Sequence, residues 1–195
     1  IGARVVEQAQ RTLEAAARVK EVASQGRDPL AGLLRLGVIY TIGPYLLPEL
    51  IPLLKKRAPE MPLEVEENTT ANLEQQLRNG RLDVFVIALP FGGPGIVTRA
   101  LYDEPFKLVV PADHPLGGRR SIRPTELSGE HVLLLNSGHC FSNQVVEACP
   151  ELSRRGGETQ QGNSLETIRN MVASGLGVTV LPCSATGEKY RNRLL

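Results

Sequence analysis

The chain has 195 residues, 42% of them hydrophobic, with 22 Lys and Arg against 21 Asp and Glu for a formal net charge of +1. That balance excludes a disordered or fibrous chain and gives no basic face able to hold a nucleic-acid backbone alone. The longest apolar runs, such as VFVIAL at residues 84–89, fall far short of the roughly 20 residues a membrane span needs. Three cysteines are too few, and odd in number, for a secreted disulfide scaffold, so a cytoplasmic location with reduced thiols is expected.

The opening residues, IGARVVEQAQRTLEAA, carry neither a start methionine nor the apolar core of a secretory signal, so a piece of a longer chain is expected. Residues 1–25 contain no proline, and Val5, Ala9, Thr12, Ala16, Val19 and Ala23 recur with the 4-3-4-3-4 spacing of a heptad seam. Most of that seam is methyl groups, which bury little on their own. A linker and dimerisation helix packing on a second copy is therefore expected, with an amphipathic helix lying on its own domain as the alternative. GRDPLAG, residues 26–32, combines glycines and a proline and reads as the hinge that ends the helix.

Past the hinge, LLRLGVIY predicts a strand over residues 33–40, and YLLPELIPLLKKR predicts a helix with Leu46, Leu47, Leu50, Ile51 and Leu54 on one face. LEVEENT alternates apolar residues with glutamates as a second strand. A short helix opened by Asn72 and stopped by Gly80 follows, and then LDVFVIAL, residues 82–89, whose continuous apolar run suits a parallel strand covered on both faces. Two right-handed crossovers in succession build a doubly wound sheet, closed by FGGPG.

Beyond Tyr102 the pattern repeats on a smaller scale. FKLVVP, HVLLLN and GVTVLP read as strands, and a helix is expected over residues 165–174, stopped by Gly175. The resulting fold class is α/β, with two Rossmann-like lobes of the periplasmic-binding-protein type behind a linker helix: 1–25 linker, 26–102 first lobe, 103–195 second lobe. Ligands in such folds bind beyond the carboxyl ends of strands. Thr41, the Thr69–Thr70 pair and residues 136–140 are expected to line that crevice.

GHCFSNQVVEACPEL, residues 138–152, holds two of the three cysteines nine positions apart. Ser142 or Asn143 is expected to cap a helix through QVVEAC, leaving Cys140 just ahead of its start. That placement favours the thiolate, because the helix N-terminus carries partial positive charge and His139 stands beside the sulfur. A thiolate attacks a peroxide to give a sulfenic acid, which a second thiol converts to a disulfide that cellular thiols reverse. If most of the nine steps are helical, at ~1.5 Å of rise each, the two α-carbons stand more than about 10 Å apart, whereas a disulfide tolerates about 7 Å. A bridge then requires the helix to unwind, which makes the segment a candidate redox switch. Inert packing, a zinc site from His131, His139, Cys140 and Cys149, and a cysteine hydrolase remain alternatives, though the spacings of structural zinc sites are absent.

GPYLLPELIPLLKKRAPEMPLEVEE resembles the first crossover of the effector domains of LysR-type transcriptional regulators. SGHCFSNQVVEAC together with SLETIRNMVASGLGVTVLP resembles the peroxide-sensing branch of that family, and the likeness covers nearly the whole chain. The resemblance implies a tetrameric, cytoplasmic regulator that binds DNA through an N-terminal winged helix-turn-helix lying outside this chain. It implies Cys140 as the peroxidatic residue and Cys149 as the resolving one. Thr41, Thr70, Gly138 and His139 would hold the hydrogen peroxide, with no cofactor and no metal. Reduction by thiol reductants such as glutaredoxin or thioredoxin, a stoichiometric sensor rather than an enzyme, and no membrane contact complete the implied picture. The competing expectation is a regulator of the same fold that binds a small organic effector in the crevice without redox chemistry. Relatives carry Arg-Asp where this chain has Ser142-Asn143, and Arg169 is one candidate for the missing cation. Cys183 has no matching role and is expected to be a small buried residue after a strand.

Overall fold

The structure is a computed structural model that describes residues 30–136, 139–150 and 160–187, and positions 2, 4–6, 8, 9, 12, 13, 15, 16 and 19. The described positions between 2 and 19 are all helical, as the heptad spacing predicts. Val5 and Val19 of the seam are 60% and 69% exposed. Ala23 and the hinge up to residue 29 lie outside the described residues. The chain divides into two compact units, Ile1–Ile87 and Ala88–Leu195.

The first unit is built on a three-stranded parallel sheet of order β2-β1-β3, where β1 is Leu34–Ile39, β2 is Leu63–Asn68 and β3 is Val84–Val86. Helix α1, Gly43–Arg57, connects β1 to β2, and α2, Thr70–Arg78, connects β2 to β3. This is the strand–helix alternation read from the sequence, and it needs crossover connections because the strands are parallel. β1 is central, and Gly37 in its middle explains how closely the layers approach. A β-carbon there would stand 2.7 Å from Leu82 Cδ1 and 2.8 Å from Phe85 Cβ. Leu36, Val38, Leu73 and Leu82 form the core around it.

Two expectations for this unit need correction. The strand predicted across residues 82–89 shrinks to β3, with Val84 44% exposed; among the described residues β3 is an edge strand paired with β1. The second helix starts at Thr70 rather than Asn72. Thr69 is its N-cap, its hydroxyl accepting the Asn72 N–H at 3.5 Å. α1 keeps Pro48 and Pro52 inside it. Pro52 lies on the exposed side, while the predicted apolar face from Leu46 to Leu54 is half-buried. Lys55, Lys56 and Arg57 occupy its last turn, where the helix dipole favours cations.

The second unit pairs β4, Phe106–Val109, antiparallel with β7, Thr179–Pro182, and β5, Leu134–Leu135, parallel with β6, Gln161–Gly162. A bridge between Val132 and Val178 joins the two pairs, and the Thr179 hydroxyl reinforces it by donating to the Leu133 carbonyl at 2.8 Å. Residues 132–135 are all buried, so HVLLLN is the centre of this core. Helix α3, Cys140–Ala148, follows β5, and α4, Leu165–Ala173, lies between β6 and β7. α4 matches the predicted span. Ser164 caps it through the Thr167 N–H at 3.1 Å, and Gly175, at φ +76°, ends it. β6 has no signature in the sequence, being two residues held by their pairing with β5.

Candidate functional site

In the first unit, Ile39 of β1 pairs with Asn68 of β2. Thr41 and Thr70 therefore each lie two residues beyond a paired position, at the carboxyl edge of the sheet. Thr41 is 5% exposed. Thr70 is the first residue of α2 and is flanked by a network: Asn68 Oδ1 accepts from the Thr69 N–H at 2.9 Å and from Asn72 Nδ2 at 2.8 Å. Below it, Asn68 Nδ2 and Gln76 Nε2 donate to Glu66 Oε1 at 3.0 and 3.1 Å. Those two donors, Asn68 first, hold the Glu66 carboxyl below its ordinary value. Glu67 lies against the first residue of α1: its carboxyl carbon is 2.9 Å from where a β-carbon of Gly43 would stand. Burial pushes the Glu67 carboxyl up.

In the second unit the chain leaves β5 at Leu135, and the Asn136 N–H donates to the Gly162 carbonyl at 3.1 Å. Ser137 and Gly138 lie outside the described residues, and with them the expectation placed on Gly138. His139 is extended, at φ −108° and ψ 127°, and acts as N-cap of α3 with no side-chain capping bond. Cys140 is therefore the first residue of the helix, not one ahead of it. The predicted caps fail for a physical reason. The Ser142 hydroxyl is buried and donates to the Leu135 carbonyl at 2.9 Å, so it is not available to the helix terminus. Asn143 is exposed on the helix surface.

Cys140 is half-buried in the first turn of α3. Cys149, 8% exposed, is the residue that ends the same helix, its N–H donating to the Val145 carbonyl at 2.9 Å. The helix between them has nine residues. At ~1.5 Å of rise over nine steps, the two α-carbons are about 13 Å apart along the axis. Cys140, Cys149 and Cys183 are all thiols. The site's parts are thus distributed: Thr41 and Thr70 in the first unit, His139, Cys140 and Cys149 in the second.

Two side chains that sequence reasoning passed over fasten α3. Gln144 Nε2 donates to the Leu89 carbonyl at 3.0 Å, and Phe141 meets Phe106 edge-on with ring centroids 5.3 Å apart. No local signal reveals partners so far away in the chain. Arg169, expected as a possible cation near the sulfur, is 2% exposed and pairs with Glu166 of its own helix at 3.0 Å. Cys183 does follow a strand, β7, but it is half-buried rather than buried, and its N–H donates to the Pro105 carbonyl at 2.8 Å. Among the described residues no group of three or more His, Cys, Asp or Glu side chains is placed to hold a metal ion, and His131, His139, Cys140 and Cys149 form no such group. Among them, too, no helix is long and apolar enough to cross a membrane.

Residues 27–195 match the family described as LysR substrate binding domain. A reduced form of OxyR from N. meningitidis is 46% identical, with a TM-score of 0.78, over 82% of this chain and 76% of that one. The chain belongs to the LysR substrate-binding domain family, in its OxyR branch. A hydrogen peroxide-inducible genes activator from Dickeya chrysanthemi is 38% identical over 188 residues, covering 96% of this chain. The chain spans 62% of that relative's length. An H2O2-bound mutant of OxyR from Corynebacterium glutamicum is 32% identical with a TM-score of 0.77, covering 93% of this chain and 57% of that one. The two α/β units behind a helix are the periplasmic-binding-protein-like architecture of this family.

Proposed function

We propose that this chain is the sensing part of a hydrogen-peroxide-responsive transcriptional regulator. The Cys140 thiolate attacks one oxygen of H2O2, the O–O bond breaks, and hydroxide leaves to be protonated to water; the product is Cys140 sulfenic acid. The Cys149 thiol then attacks that sulfur. An S–S bond forms, the S–O bond breaks, and the hydroxyl leaves with the thiol proton as a second water. Two thiols are oxidised by two electrons and one peroxide is reduced. The observation that carries this reading is the placement of the two thiols at opposite ends of a single helix of nine residues, in a chain of the OxyR branch.

Thr41, Thr70, Gly138 and His139 hold the peroxide. The supports are the burial of Thr41, the shared sheet edge of Thr41 and Thr70, and the peroxide bound by the C. glutamicum relative. In the whole protein the change in α3 reaches DNA through a winged helix-turn-helix and a homodimeric or homotetrameric assembly, consistent with the inducible-genes activator among its relatives. Thioredoxin- or glutaredoxin-type thiols reset the switch in the cytoplasm, and no cofactor or catalytic turnover is involved.

Mass spectrometry after one equivalent of peroxide tests the proposal. A loss of two hydrogens, mapped to peptides holding Cys140 and Cys149, is the expected result. Cys140→Ser abolishes it, and Cys149→Ser arrests the chain as a sulfenic acid that dimedone traps. An unchanged mass in the wild-type chain would sink the redox reading in favour of a small organic effector.

A further inference from the structure

Resolution requires the two cysteine α-carbons to approach from about 13 Å to within about 7 Å, so one end of α3 must leave its place. At the C-terminal end Val145 and Cys149 are 1% and 8% exposed, and the Cys149 N–H donates to the Val145 carbonyl at 2.9 Å. At the N-terminal end, beside the packing of Phe141 on Phe106, the buried Ser142 hydroxyl donates to the Leu135 carbonyl at 2.9 Å. Leu135 belongs to β5 at the centre of the core and is itself 3% exposed. A hydrogen bond of this length does not survive a shift of several ångströms. If Cys140 travels to Cys149, this bond breaks.

We infer that Ser142 is a latch: a positioning residue whose hydroxyl holds the first turn of α3 on β5 and sets the rate at which Cys140 sulfenic acid is resolved by Cys149. The inference rests on the proposed peroxide chemistry and adds what restrains the first turn of the helix. Ser142 does not touch the oxidant in this scheme, so it acts on the second step and not the first. Removing a buried hydrogen bond of ordinary strength accelerates release by roughly fivefold. The Leu135 carbonyl left without its donor pushes in the same direction.

The test compares wild type, Ser142→Ala and Ser142→Thr by quenched-flow alkylation and mass spectrometry after peroxide addition. The sulfenic step is followed separately with dimedone in the Cys149→Ser background. The expected result is a disulfide step about fivefold faster in Ser142→Ala. The sulfenic step is unchanged, and the disulfide step returns to the wild-type rate in Ser142→Thr, which keeps the hydroxyl. Equal disulfide rates in wild type and Ser142→Ala would overturn the latch while leaving peroxide sensing intact. The latch also fails if Ser142→Thr is as fast as Ser142→Ala, because packing rather than the hydroxyl would then be responsible. A wild-type chain that forms no disulfide overturns the underlying redox reading, and the latch with it.

Discussion

Asn143 offers a way to ask whether α3 unwinds during the response without touching its packing. It sits in the fourth position of the helix Cys140–Ala148, and its side chain is exposed. Alanine and glycine at such a site differ by about 1 kcal/mol in helix propensity, with asparagine between them. If the disulfide forms only from an unwound α3, that difference appears in the population of the unwound state. At about 1.36 kcal/mol per tenfold, Asn143→Gly is expected to form the Cys140–Cys149 disulfide about fivefold faster than Asn143→Ala. The wild-type rate falls between. The assay is the time course of the disulfide peptide after one equivalent of peroxide, with free thiols alkylated at each point. Dimedone trapping in the Cys149→Ser background controls for the first step, which is expected to be equal in both variants. Identical disulfide rates for the glycine and alanine variants would refute the reasoning, since a helix that stays folded through the reaction is indifferent to its own propensity.

Three further outcomes test the fold that carries the site. Gly37→Ala brings a methyl group to 2.7 Å from Leu82 Cδ1 and 2.8 Å from Phe85 Cβ, and overpacking of this kind costs about 1–3 kcal/mol. Urea denaturation of the reduced chain reads it, and an unchanged midpoint contradicts the close approach of β1 and β3. Thr179→Val removes the buried donor to the Leu133 carbonyl and is expected to cost about 1–3 kcal/mol by the same measurement; a loss within error of zero means the bond contributes nothing. Glu66 has a folded-state value depressed below 4.5 by Asn68 and Gln76, so its stabilising contribution is present above the unfolded value and is lost as pH falls through the folded one. Glu66→Gln is therefore expected to be less stable than wild type at neutral pH and to converge with it below pH 4.5 in acid titrations followed by circular dichroism; a gap independent of pH contradicts the assignment.

What was legible in the sequence is what local chemistry decides. The alternation in LEVEENT and the apolar run through LRLGVI specify parallel strands with helices between them, and these appear as β1, β2 and their crossovers. Gly175 marks the end of α4 within a residue or two, because a left-handed stop acts on its immediate neighbours. What failed depends on partners far away in the chain. Asn143, a good cap in isolation, stays on the helix surface, and Ser142, the other, is claimed by a carbonyl seven residues back. β3 is short and, among the described residues, pairs with β1, and β6 exists because β5 lies beside it. Cys140 and Cys149 were legible as a pair. The fastening of the helix between them was not, since Gln144 reaches a carbonyl 55 positions away.

Exposure alone does not distinguish the thiol proposed to react from Cys183. Cys140 and Cys183 are both half-buried, and Cys149 is buried. If access to solvent decided the matter, peroxide would oxidise Cys140 and Cys183 alike. Their backbone settings differ. Cys140 opens a helix of nine residues, whereas Cys183 opens a single 3-10 turn of four, with its own N–H donating to Pro105. The charge at a helix N-terminus grows with aligned peptide units and is small for one turn. On the proposed chemistry, the helix that Cys140 opens is also the one that keeps it away from Cys149. That helix must be dismantled before the proposed second step can close an S–S bond.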